Sequence, residues 1–236
     1  AFATPLVVSV HSVVSWDFAV SVLPGWHSTL FPPYFVAGAI LSGVAMVITI
    51  LIPLRRAFRL EALITPRHLD MLARLVVLTG LIVTYSYATE ILIALQAPHG
   101  DPERSTFLYR MTGPYAPVFW TMVLCNCVGP ILLLFPAVRR RTAVLFGICV
   151  AINVGMWLER FNIVVTSLSH DRLPFDWRVY VPTWVEWGVT AGAFGWFFTL
   201  FLIGLKLLPP VSIAELKEEA SHAAHPPGAG EAAHGE

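Results

Sequence analysis

From Tyr34 to Leu54 the chain carries no charged side chain, no asparagine and no glutamine. A helix needs about 20 consecutive, mostly apolar residues to cross the hydrocarbon core of a bilayer. Five other stretches are comparably long and apolar, so the sequence predicts six transmembrane helices. They run from Pro5 to Leu23, Tyr34 to Leu54, Leu69 to Leu95, Pro114 to Phe135, Thr142 to Leu168 and Pro182 to Leu208. The first is the most polar, with four serines, His11 and Asp17. An amphipathic helix lying on the membrane surface is its alternative reading.

Composition supports lipid as the solvent. The 236 residues are 56% hydrophobic and 13% charged, against roughly 45–50% and 25% for soluble domains. The expected fold class is therefore all-α, a polytopic transmembrane helical bundle. Formal net charge is zero, so no global field argues for nucleic acid as a partner. Cys125, Cys127 and Cys149 all fall inside apolar runs and form neither a disulfide framework nor a metal motif. No signal peptide or cleavage site is visible after Ala1, and the chain is expected to be a fragment or to lack its natural start.

Proline punctuates the same pattern. Pro24-Gly25 and Pro32-Pro33 bracket the first connection, Pro53 is expected to close the second span, and Pro136 and Pro209-Pro210 follow the fourth and sixth. Gly38, Ala39, Ser42 and Gly43 set small residues at helical spacing, where helices can approach closely.

Positive residues then set a direction. Arg55, Arg56, Arg59, Arg67, Arg74, Arg139, Arg140, Arg141, Lys206 and Lys217 fall on one side of the predicted topology; Arg104, Arg110, Arg172 and Arg178 fall on the other. The expected topology has a cytoplasmic C-terminus, with residues 24–33, 96–113 and 169–181 facing outward. A membrane domain over 1–210 is expected to be followed by a largely disordered cytoplasmic tail over 211–236. There a short charged stretch gives way to an Ala/Gly/Pro/His composition too poor in apolar surface to order itself.

Ionisable groups inside a span are expensive and are functional candidates by default. They are His11 and Asp17 in the first span, Glu90 in the third, Glu159 and Arg160 in the fifth and Glu186 in the sixth. The four carboxylates gather toward the predicted outward half. His11 has Ser12 beside it and Ser15 one turn on to orient its ring, and the next connection adds Trp26, His27 and Tyr34 to Trp16. Such a group offers aromatic surface and proton acceptors to a hydrophobic ring with two exchangeable protons. A satisfied interhelical histidine beside an interfacial aromatic belt is the plainer reading of the same residues. Glu90 follows Tyr87 on one helix face and reads either as a packing group or as a proton carrier. Glu159 and Arg160 point about 100° apart, so they need not pair with each other. Glu186, near its span's start, reads as hydrated as readily as functional. With one histidine inside a span, the chain offers no histidine pair for a membrane haem. If electrons move through such a chain, their metal centres belong to another subunit.

Longer motifs carry a family resemblance. Val10 to Phe18 (VHSVVSWDF), Pro24 to Thr29 (PGWHST) and Pro32 to Ala39 (PPYFVAGA) resemble the NrfD/PsrC-type quinone-interacting membrane subunits. Arg67 to Asp70, Tyr87 with Glu90, Asn153 to Phe161 (NVGMWLERF) and Pro174 to Trp184 resemble the NrfD-like membrane component of bacterial alternative complex III. The resemblance runs from about Thr4 to Lys217. It implies a longer family member built as two four-helix bundles with flanking helices. This sequence corresponds to the C-terminal part, with the bundle around the first span incomplete.

By that resemblance, the chain is a membrane subunit of a quinol:electron-acceptor oxidoreductase of the bacterial inner membrane. It is expected to work within a hetero-oligomeric complex alongside other membrane subunits. Menaquinol or ubiquinol is expected to bind near the outward face, with electrons passing to an iron–sulfur partner subunit. His11 and Asp17 are expected to border the quinol as proton acceptor and relay, and Trp16, Trp26, His27 and Tyr34 to pack it. Tyr87, Glu90, Glu159, Arg160 and Glu186 are expected to line a proton path. No cofactor or metal is expected on this chain itself. Two readings compete: an anchor that docks redox subunits without a site of its own, and a proton-conducting transporter.

Overall fold

A computed structural model describes residues 3–28, 30–169, 175 and 177–207. The chain divides into two units, Ala1–Tyr180 and Val181–Glu236, which are described separately. Every regular element among the described residues is helical. The expected tail from Val211 lies outside them.

In the first unit α1 (Ala3–Ala19) packs on α2 (Phe31–Ala57), which also lies against α3 (Pro66–Gln96) and α7 (Thr142–Ser169). A short α4 (Pro102–Thr112) leads into α5 (Ala116–Leu132), and a single-turn α6 (Pro136–Arg139) precedes α7. The buried residues follow the helical repeat. Leu41, Ala45, Ile48 and Ile52 on α2 meet Ala73, Val76, Val77 and Val83 on α3 and Leu145, Cys149, Ile152 and Met156 on α7 in one core. The outward faces carry Val47, Leu78, Leu81, Leu124 and Val154, the surface expected of spans solvated by lipid.

Small residues let the backbones close in. A methyl group added at Gly80 would collide with the Pro130 ring, and one at Gly155 with the Asn126 amide and the Cys125 side chain. Gly38 faces the Met156 tip. Gly43 has open space around it, so only part of the small-residue stripe on α2 is used for close approach.

Among the described residues four helices are long and apolar enough to span: α2, α3, α7 and, in the second unit, α8 (Trp184–Leu207). The predicted first span forms α1, but its 17 residues reach about 26 Å, slightly less than a typical hydrocarbon core of about 30 Å. The predicted outward connection over 96–113 is not plain loop but contains α4, which meets α5 at 84° and makes a fifth span only if that bent pair is counted as one. Asp101 caps α4 by accepting from the Glu103 amide at 2.8 Å. With 11 residues, including Glu103, Arg104 and Arg110, α4 is too short and polar to cross, and it serves as the connection. Pro53 does not end α2, which continues one more turn to Ala57.

Among the described residues two helices contain wide π turns: Leu124–Val128 within α5 and Asn162–Thr166 within α7. Such turns recur at functional positions. Each here brings an asparagine, Asn126 or Asn162, to the buried side.

None of the residues of α8 is buried. Its start is fixed by Thr183 and Glu186, whose carboxylate accepts from both the Thr183 amide and hydroxyl at 2.6 Å. This is a capping-box arrangement.

Candidate functional site

At one end of the first unit the α1–α2 connection and the α4 segment between α3 and α5 come together beside the end of α7. Among them lies a cleft of about 150 Å3, lined by His27 and Tyr34 on one side, Tyr87 and Glu90 on another, and Glu159 and Asn162 on α7. The arginine-rich connections that follow α2 and α5 lie at the opposite end.

Glu159, 1% exposed, is the polar centre of the packed interior. The Tyr87 hydroxyl donates to its Oε2 at 2.5 Å, and the Asn126 amide donates to the Tyr87 oxygen at 3.0 Å and to the same carboxylate oxygen at 3.4 Å. Its other oxygen lies 3.1 Å from a guanidinium nitrogen of Arg160, so the neighbours do pair. That contact is ionic and lacks hydrogen-bond alignment, leaving Oε1 without a hydrogen-bond partner among the described residues. The Arg160 guanidinium also sits 4.2 Å above the Phe35 ring. Tyr34 meets Tyr87 edge to face at 5.7 Å.

Nearer the mouth, Arg110 is 3% exposed and uses its whole fork. It donates to Glu90 at 3.2 Å, the Thr166 hydroxyl at 2.9 Å, the Ser167 hydroxyl at 2.7 Å and the Gly25 carbonyl at 3.4 Å. Gly25 adopts φ +81°, a conformation that favours glycine, and its amide donates to Glu103 at 2.7 Å. One turn of backbone is thereby held from both sides. On α4, outside the spans, burial pushes the Glu103 carboxyl above its ordinary value, and the Gly25 amide offsets this in part.

The expected site residues separate into groups. His27, Tyr34, Tyr87, Glu90 and Glu159 share the cleft, with Arg160 bound to Glu159. Trp26 lies behind it, donating to the Ile163 carbonyl at 2.8 Å and packing edge-on against Phe18 at 4.8 Å. His11, Trp16 and Asp17 do not line the cleft. His11 donates to the Val7 carbonyl at 2.8 Å with its ring 6.4 Å from Phe35; Trp16 and Asp17 are exposed on α1. Ser12 and Ser15 do not orient the imidazole but donate to backbone carbonyls of their own helix. Glu186 belongs to the second unit, where it caps α8.

Sequence reasoning missed Arg110, counted as a loop cation, together with Glu103, Asn126 and Asn162. An asparagine inside an apolar run is costly unless bonded, and that alone marked Asn126. Among the described residues no group of three or more His, Cys, Asp or Glu side chains is arranged to hold a metal ion.

The architecture and this buried polar cluster define an integral membrane protein with ionisable groups inside its helical bundle. The family described as Polysulphide reductase, NrfD matches residues 1–170, and the chain belongs to it. Among curated proteins it is similar to a putative membrane subunit of dimethyl sulfoxide reductase from Halobacterium salinarum. The two are 30% identical over 233 residues, covering 88% of this chain and 52% of that protein. It is also similar to the menaquinone reductase integral membrane subunit of Nitratidesulfovibrio vulgaris, at 24% identity over 127 residues, 53% of this chain and 29% of that protein. The chain thus spans about half the length of the first relative and less than a third of the second.

Proposed function

We propose that this chain is a quinone-interacting membrane subunit of an oxidoreductase complex, and that its cleft serves the protons of the reaction rather than the quinol ring. Family membership and the similarity to a menaquinone reductase membrane subunit support the first part. The single observation carrying the second is the buried Glu159–Tyr87–Asn126 cluster continuing into the cleft that holds Glu90 and Arg110. Isolated carboxylates in an apolar bundle are disfavoured. A connected series reaching an end of the bundle is what proton movement requires.

The cleft, with about 150 Å3, is ample for several waters. Asn162, which lines the cleft, has a buried Oδ1 without a hydrogen-bond partner among the described residues and suits such water. Quinol oxidation releases two electrons and two protons, and a positioned base lowers its barrier. In this reading quinol, menaquinol or ubiquinol, meets the half of α1 that runs from its midpoint at His11 to its outward end. His11 takes a proton and Asp17, nearer that end, relays it, while the electrons leave through an iron–sulfur partner subunit. Trp16 stays accessible for ring packing. The C-terminus is cytoplasmic, as the arginine distribution directs.

The test is quinol oxidation by the native complex, assayed with proton release in liposomes. His11→Ala lowers turnover by about tenfold or more with assembly intact. Glu159→Gln leaves the quinol KM near wild type while proton transfer falls. Wild-type turnover in the first variant removes His11, and wild-type proton transfer in the second removes the cleft. A subunit that serves as an anchor alone predicts both of those results together.

A further inference from the structure

At the end of the bundle opposite the cleft, α3 begins beside α6 and the start of α7. A second cavity of about 340 Å3 opens there, lined by Arg67, Asp70, Arg74, Arg139, Arg140 and Thr142 among others. Four arginines face one carboxylate. Asp70 is already engaged: Arg139 Nε donates to it at 2.6 Å, and Arg74 donates through Nε at 2.9 Å and lies 2.8 Å away through a terminal nitrogen. Arg139 is held further by donating to the Leu133 carbonyl at 3.1 Å. Asp70 therefore fixes two guanidinium groups in place without neutralising the pocket. The side chains of Arg67 and Arg140 are exposed and make no hydrogen bond or ion pair with any described residue. Their donors remain available to an anion.

The apolar surroundings indicate which anion. Arg67, Met71, Arg74, Leu75 and Leu78 lie along one side of α3, and Met71 and Leu78 are 59% and 57% exposed. Leu134 and Phe135 are also exposed, just before α6. A charged cup thus continues directly into uncovered hydrocarbon-facing surface on spanning helices. Guanidinium forks match phosphate oxygens, and basic pockets between spans suit anionic head groups. A free phosphate would use the cup alone; a lipid uses both parts.

We propose that this pocket binds the phosphodiester head group of an anionic phospholipid, with the acyl chains lying along Met71, Leu75 and Leu78. The purified full chain is tested by thermal melting and native mass spectrometry with added phosphatidylglycerol, phosphatidylcholine or inorganic phosphate. Phosphatidylglycerol is retained and raises the melting temperature, and the other two do neither. The double variant Arg67→Gln, Arg140→Gln binds phosphatidylglycerol roughly tenfold more weakly. It melts like wild type in phosphatidylcholine, since neither side chain bonds within the fold. Equal response to the two lipids, undiminished lipid binding by the double variant, or equal protection by inorganic phosphate would each overturn the proposal. The wild-type lipid preference stands as a measurement even if the variant proves unstable.

Discussion

The hydroxyl of Tyr87 on α3 donates to the carboxylate of Glu159 on α7 at 2.5 Å, across 72 residues of sequence. Both side chains are buried, and the Asn126 amide from the wide turn of α5 bonds to each. Three helices are thus pinned at one polar point. Removing one member strands the others away from water, which costs more than the bond itself contributes.

Tyr87→Phe is therefore expected to lower stability by about 1–3 kcal/mol, read as a drop in melting temperature in detergent. Combining it with Glu159→Gln should cost less than the sum of the two single changes, by about 1 kcal/mol or more. Additive losses would mean that the two side chains act independently.

Arg110 is the second pin. Arg110→Met leaves Glu90, Thr166 and Ser167 without their shared donor and should destabilise by about 2–4 kcal/mol. Lysine should rescue little, because a single ammonium cannot reproduce a fork that reaches four partners on three sides. Adding Glu90→Gln to Arg110→Met should recover part of the loss. A wild-type melting temperature for Arg110→Lys would show that charge alone, without the fork, is enough.

Glu103 makes stability depend on pH. Its folded-state affinity for a proton is raised above the ordinary value of 4.5, mainly by burial. An acid so shifted favours folding while it stays protonated. Its contribution is complete below 4.5 and declines as pH rises through the higher folded value. Melting curves between about pH 4 and about pH 8 should lose this part of their decline in Glu103→Gln. The same slope in both proteins would assign the dependence elsewhere.

Much of the architecture is legible from residues alone, because apolar runs of this length have few other homes. The interior of α3 and α7 and the candidacy of Glu90 and Glu159 follow from that logic. What the runs do not reveal is where the chain folds back. Arg110 reads as a solvated loop cation until α4 turns at 84° to α5 and carries it under Gly25. Asn126 sits in an apolar run between two cysteines, and its partners come from two other helices. The pairing of Glu159 with Arg160 runs against simple helical geometry, since adjacent side chains diverge and only the long arginine arm reaches back. On α1, spacing sets Ser12 and Ser15 beside His11 but does not reveal that both hydroxyls return to their own backbone.

The wide turns also bear on how this chain tolerates insertion and deletion. A turn that closes on the fifth residue takes up one position more than an α turn, so the sequence beyond it is about 100° out of phase with the sequence before it. Shortening Leu124–Val128 by a single residue would swing everything downstream round by more than a quarter of a revolution. Pro130 would leave its seat against Gly80, and Asn126 would be carried away from Tyr87. At this place the number of residues matters as much as their identity.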